Sequence, residues 1–222
     1  MFSKLCLGLV SFVAFGLITP ASASDWHGCY GGLSVGGGVG NNKGVYDPTD
    51  HAFGSSTAHG LLGGGQLGCD WREDMLVFGV QGMLSASNIQ GSNFYEGGSG
   101  ANNTVRYQMQ WLATVTGRAG YLADENTLLY GKGGIAYGHF DFKDRDPDTP
   151  YVGPADWTAA GLLIGAGVER QISQNISLSA EYNYIDFGKE DVTITYSNSA
   201  TPVDNTFDQS LHQVVVGMNY RF

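Results

Sequence analysis

Between residues 104 and 121 the chain reads "TVRYQMQWLATVTGRAGY", and its side chains sort by parity. One phase holds Val105, Tyr107, Met109, Trp111, Ala113, Val115, Ala119 and Tyr121; the other holds Arg106, Gln108, Gln110, Thr114, Thr116 and Arg118. Successive side chains of a strand point to opposite faces, so this stretch predicts a strand with one apolar and one polar face. The pattern returns in Ile176, Leu178, Ala180, Tyr182 and Tyr184 against Ser177, Ser179, Glu181 and Asn183. It returns again in Ala160, Leu162, Ile164, Ala166 and Val168 opposite Gly161, Leu163, Gly165, Gly167 and Glu169. Extended along the chain, it predicts strands near 28–40, 58–71, 75–87, 104–121, 127–140, 157–172, 176–187 and 207–222, the first two glycine-rich and the least regular.

The connections alternate in length. Short ones fall around 72–74, 122–126 and 173–175, and long ones around 41–57, 88–103, 141–156 and 188–206. A soluble sandwich gives no reason for that alternation, whereas a barrel inserted from one side of a membrane has short periplasmic turns and long outer loops. The predicted fold is therefore all-β, an eight-stranded antiparallel transmembrane barrel with four long extracellular loops. Closure follows from the solvent, because an open sheet edge in hydrocarbon leaves backbone groups unpaired at several kcal/mol each. Trp26, Trp71, Tyr121, Trp157, Tyr184, Tyr220 and Phe222 fall near strand ends and are expected in the interfacial girdles.

With the apolar phase on lipid, the lumen is expected to receive Gln66, Gln81, Arg106, Gln108, Gln110, Arg118, Lys132, Glu169, Glu181, Asn183, Asn219 and Arg221. Acids and bases mix there, and eight strands enclose only enough space for side chains to fill, so the reading is an ion-paired polar plug, with a narrow porin-like channel as the alternative. Glycines at 36, 38, 64, 68, 79, 134, 165 and 167, mostly on the inward phase, leave room for longer lumenal residues.

Residues 1–23 carry Lys4, an apolar run from Leu5 to Ile18 and a small-residue ending, which predicts a signal peptide cleaved after Ala23 and a barrel domain over 24–222. The run of about 14 apolar residues is short of the roughly 20 that a spanning helix needs. A formal charge of -10 with no basic stripe disfavours a nucleic-acid partner. Outside the signal the cysteines are Cys29 and Cys69, an even pair in an exported chain. They share a phase and flank the first long connection symmetrically, so pairing of the first two strands brings them opposite each other as a candidate structural disulfide. Even with His27 nearby they lack the four ligands of a zinc site.

Chemistry-bearing residues are sparse. Tyr46, His51, His59 and His139 are candidate ligand-binding residues at the outer end, since histidine and tyrosine can hold haem iron. Asp141, Asp144, Asp146 and Asp148 in the third long connection are candidates for loose divalent-cation binding, without the glycine and terminal glutamate of a calcium loop. No cofactor or confident metal site is implied beyond a hemin or cation of this kind. His139 near Asp141, and His212 near Ser210 and Asp208, are the nearest approaches to a catalytic constellation and lack the oriented nucleophile that hydrolysis requires, so no enzyme is expected.

The segments "SDWHGCYGGLSVG", "GVQGMLSAS", "LLYGKGGIAYG", "GLLIGAGVERQISQNISLSAEYNYIDFG" and "VVVGMNYRF", in that order, resemble the small outer-membrane β-barrel proteins of alphaproteobacteria, a porin-like, major outer-membrane and hemin-binding group related distantly to the OmpA transmembrane domain and the opacity proteins. The resemblance implies location in the outer membrane of a Gram-negative bacterium, contact with its lipid and lipopolysaccharide, and a structural or interaction role, with partners met through the loops or the lipid-facing wall. A hemin- or ligand-binding surface protein is the alternative; the lipid A-modifying enzymes found among such barrels are disfavoured. It also implies that Met218, Tyr220 and Phe222 are read by the barrel-assembly machinery. Cys29 departs from the group's opening pattern, where a bulky apolar residue stands.

Overall fold

The computed structural model describes residues 26–46, 51–96, 102–145, 155–194 and 203–222; the expected signal peptide lies outside them. They form eight strands, β1 (Gly28–Tyr46), β2 (His51–Glu73), β3 (Leu76–Glu96), β4 (Asn102–Asp124), β5 (Thr127–Arg145), β6 (Ala155–Gln171), β7 (Ile176–Ile194) and β8 (Val203–Arg221). Each pairs antiparallel with its sequence neighbours, and β8 returns to β1 from Tyr30↔Arg221 to Tyr46↔Asn205, closing the barrel. The Phe222 amide adds a bond to the Cys29 carbonyl at the seam.

One end is made of tight turns. Asp74 takes a left-handed φ of 54° between β2 and β3, and the Asp124 carboxylate accepts the Asn126 amide at 2.8 Å between β4 and β5. At the other end pairing runs well past the predicted strand limits at three of the four long connections, reaching Tyr46↔His51, Glu96↔Asn102 and Ile194↔Val203, whereas β5 and β6 pair only to Phe142↔Ala155. A tilted strand crosses hydrocarbon in about 9–11 residues. Strands of 17 to 23 residues therefore project beyond it on the outer side.

The outer wall is apolar around the circumference: Leu33, Leu67, Leu84, Val115, Ile135, Leu162, Tyr182 and Val214, one from each strand, are all exposed, Leu162 to 73%. A belt this continuous has lipid as its natural solvent. Cys29 and Cys69 sit opposite each other across β1 and β2 and are joined by a disulfide near the turn end.

The interior is layered. A small apolar floor of Trp26, Val77, Leu122, Leu128 and Tyr130 closes the periplasmic mouth. Polar and charged side chains fill the middle. A larger apolar cluster, including Leu62, Met109, Leu112, Leu163, Ile185, Phe187 and Leu211, fills the outer part, so the polar lumen expected from the sequence occupies only part of the bore.

Three placements differ from the sequence-based expectation, one being Trp157, which packs inward on Phe140 against the outer apolar cluster in place of lying in a girdle. Trp26 is fully buried in place of lying in a girdle: its indole N–H donates to the Glu125 carbonyl across the barrel at 3.1 Å, and Arg221 lies over its ring. In β4 a register shift between Met109 and Trp111 inverts the alternation, turning Met109 inward and Gln110 outward, where Gln110 bonds the Asp141 carboxylate. A bulge adds one unpaired residue and thereby exchanges faces beyond it.

Candidate functional site

The densest polar chemistry lies inside the barrel. Arg118 of β4 donates from Nε and Nη2 to the two carboxylate oxygens of Asp70 on β2, at 2.8 and 2.5 Å. Its Nη1 reaches Glu169 Oε2 on β6 at 2.8 Å. Arg221 of β8 reaches Asp70 from the other side at 2.7 Å and also donates to the Gly28 carbonyl. The remaining oxygen of Glu169 accepts from Ser177 Oγ and from Asn219 Nδ2, and Asn219 accepts in turn from Gln66. All four even-numbered strands are thereby tied across the bore.

The odd-numbered strands supply a second group. Lys132 of β5 donates to Glu181 Oε2 on β7 at 2.6 Å and to Gln81 Oε1 on β3 at 2.9 Å, and the Tyr130 hydroxyl donates to Glu181 Oε1 at 2.6 Å. The rings of Tyr30 and Tyr130 flank the Arg118 guanidinium, 5.0 and 5.1 Å from its centre. Cation–π contact of this kind strengthens when desolvated. Room for the rings comes from glycine: a Cβ on Gly167 would lie 2.7 Å from the Tyr130 ring, and one on Gly68 would overlap Tyr30.

Three cations and three carboxylates thus meet as direct pairs, all nearly inaccessible to solvent. Burying an unpaired charge costs several kcal/mol, so each of these groups depends on its partners. The arrangement can cross-link strands and obstruct the bore; its two hydroxyls, Ser177 and Tyr130, donate to buried carboxylates already paired with Arg118 and Lys132. Asp70, which joins Arg118 to Arg221, was missed by the sequence reading because the glycines of β2 blur its alternation. Counting in twos from Gln66 reaches Asp70, so parity was the available signal.

The candidate ligand residues are dispersed. Tyr46 and His51 are register partners at the outer end of β1 and β2. His59 is exposed farther down β2, opposite Val39. His139 is on β5, stacked on Trp111 at 5.6 Å with Nδ1 3.1 Å from Thr158 Oγ1. His212 Nδ1 lies 2.6 Å from the Tyr182 hydroxyl. Asp141 meets Gln110; Asp144 belongs to β5, its side chain outside the described residues, and Asp146 and Asp148 lie outside them altogether. Arg106 is a residue of β4 whose side chain is likewise outside them. Among the described residues no three His, Cys, Asp or Glu side chains converge as a metal site.

A closed eight-stranded barrel with an apolar outer wall, tight turns at one end and internally paired lumenal charges defines an outer-membrane β-barrel protein. The chain belongs to the outer membrane protein beta-barrel domain family, whose model matches residues 7–222. It is 34% identical over 216 residues to the 31 kDa outer-membrane immunogenic protein of Brucella melitensis, covering 91% of this chain and 86% of that one. It is 28% identical over 201 residues to the 22 kDa outer membrane protein of Rhizobium leguminosarum, covering 89% and 80%. Among solved structures, the outer membrane protein OprG of Pseudomonas aeruginosa shares the fold, with a TM-score of 0.61, 10% identity and coverage of 90% and 100%. The protein is located in the outer membrane, in contact with its lipid.

Proposed function

We propose that this barrel is a non-enzymatic structural and interaction component of the outer membrane, with a lumen plugged by its own side chains. The bridge Asp70–Arg118–Glu169, which links β2, β4 and β6 through the middle of the bore, carries this reading. An ion following the axis meets these paired charges with an apolar layer on either side. Function then resides on the wall and at the outer hairpins; the immunogenic label of the Brucella relatives supports a surface-exposed role. Single-channel recording tests the plug: a silent bilayer supports it, and discrete conductance steps favour the narrow-channel alternative.

The register pairing of Tyr46 with His51 favours one second reading, a hemin site at the tip of the first hairpin. Absorbance titration with hemin tests it. A saturable spectral change lost on His51→Ala with Tyr46→Phe supports the site, and an unchanged titration removes it.

Recognition by the barrel-assembly machinery belongs to the same proposal. Met218, Tyr220 and Phe222 project outward on alternate positions at the closing seam. Phe222→Ala is expected to lower the heat-modifiable, folded fraction in outer membranes, whereas the exposed turn substitution Glu125→Ala leaves it unchanged.

A further inference from the structure

Above the plug the barrel wall parts soonest between β6 and β7; β2 and β3 also part, but farther out, beyond His59↔Gln90. β6 and β7 pair over ten residues, from Gln171↔Ser177 to Leu162↔Asp186, and no farther. Both strands continue: β6 stays on β5 to Phe142↔Ala155, and β7 stays on β8 to Ile194↔Val203. Ten tilted residues are about what crosses the hydrocarbon. The separation therefore begins at the outer-leaflet boundary, beside the strongly exposed Leu162 and Ile164. The β7 side departs at a register shift between Asp186 and Gly188, where Gly188 has a φ of 67° and a Cβ would meet nothing within 4 Å.

Behind this separation lies the outer apolar chamber. Phe187 turns inward, edge-on to Phe140 at 5.3 Å, and Phe140 stacks on Trp157 at 5.7 Å. Ala159, Leu163, Ile185 and Leu211 complete the surrounding wall. A cavity of ≈ 30 Å³ opens among Met109, Phe140, Phe187 and Gln209. Gln209 is the register partner of Gly188, beside the separation. The side-chain amides of Gln209 and of Gln213, two inward positions below it with Leu211 between, are almost wholly buried, and among the described residues neither has a partner for its nitrogen or its oxygen. A buried amide left unbonded costs about 1–3 kcal/mol, so the Gln209 amide, on the apolar cavity itself, points to a hydrogen-bonding group held there.

We propose that the chamber binds a single-chain amphiphile, an apolar tail with a hydrogen-bonding head such as a fatty acid, admitted laterally between β6 and β7. The head takes the amide of Gln209, and the tail lies against Leu163, Ile185 and Leu211. The resting cavity has room for only about two water-sized groups. The tail therefore takes the place of the Phe187 ring, which lies at the separation itself. Entry is from the outer leaflet, so the site needs no passage through the ion-paired plug and stands independently of whether the barrel conducts.

The same chemistry could arrive as a free fatty acid or as the acyl chain of a leaflet lipid, and bromine quenching of tryptophan separates them. The reporter is the full barrel with Trp71→Phe and Trp111→Phe, refolded in phosphatidylcholine vesicles; Trp157 then reports from the chamber and Trp26, beneath the plug, serves as an unquenched reference. Saturable quenching by a brominated fatty acid assigns the free amphiphile; quenching only by a phospholipid with brominated chains assigns a leaflet lipid. Ala159→Phe fills the chamber and is expected to weaken binding at least tenfold. Phe187→Ala removes the ring that the tail displaces and is expected to tighten binding at least threefold. Both are checked for folding by heat-modifiable migration. An absence of quenching by either probe overturns the proposal, as does an affinity in folded Phe187→Ala that fails to rise.

Discussion

At the scale of single residues, Asp70 has the most demanding position. It accepts two bonds from Arg118 and a third charge-assisted bond from Arg221, with its carboxylate out of water. Asp70→Ala leaves both guanidinium groups short of a counter-charge, and removing one partner from a buried pair costs about 3–5 kcal/mol. Urea unfolding of the barrel in lipid vesicles is expected to show a loss of that size. Arg170, 4.0 Å from Asp124 in an exposed pair, supplies the contrast: Arg170→Ala is expected to leave the transition where it was, since exposed pairs contribute little. Parity places a residue on a face, but nothing in the sequence says which acid meets which base. Asp70, Arg118 and Arg221 are separated by long stretches of chain, and barrel closure alone makes them neighbours.

At the scale of elements, the eight strands and their pairing were legible because alternation, turn residues and connection lengths all point the same way. β4 shows where that reading stops. Through "RYQMQWLA" the alternation continues unbroken, Tyr107, Met109, Trp111 and Ala113 against Arg106, Gln108, Gln110 and Leu112, so the slip between Met109 and Trp111 leaves no mark in the pattern. The consequence can be tested directly. Gln110→Lys places a charge on an exposed position and is expected to fold as the parent does, whereas Met109→Lys places one in the apolar chamber and is expected to reduce the heat-modifiable folded fraction severalfold; equal yields would contradict the inverted register. The apolar outer chamber was hidden for a related reason. Leu62, Leu112, Leu163 and Leu211 share the inward phase, and a rule that sends every apolar side chain to lipid has no place for them.

The first hairpin carries its own covalent tie. Cys29 and Cys69 close a loop with a sequence separation of 40, for which the chain-entropy model gives about 4 kcal/mol as an upper figure, because β1 and β2 already pair there. Replacing both by serine is expected to lower stability by about 2–4 kcal/mol while leaving the barrel closed, since all eight strand pairings, β1 with β2 included, remain. Denaturant unfolding of the double variant beside the parent checks the loss, and unaltered heat-modifiable migration checks the closure.

At the scale of the whole molecule, lipid and enclosed volume divide the sequence between them. The outward phase meets hydrocarbon and is apolar at nearly every level of the spanning region. The inward phase fills a bore with little space to spare, and does so in three layers whose middle one is charged but internally neutralised. The family and the membrane location follow from this architecture together with the match over 7–222. The central claim is that the charged middle layer closes the bore, and electrical recording tests it most directly. Reconstituted in a planar bilayer at defined voltage and salt, the folded parent barrel is predicted to add no discrete conductance steps to the bare membrane. Reproducible steps that scale with the number of inserted barrels would show an open path past Arg118, Asp70 and Glu169, and would contradict the account.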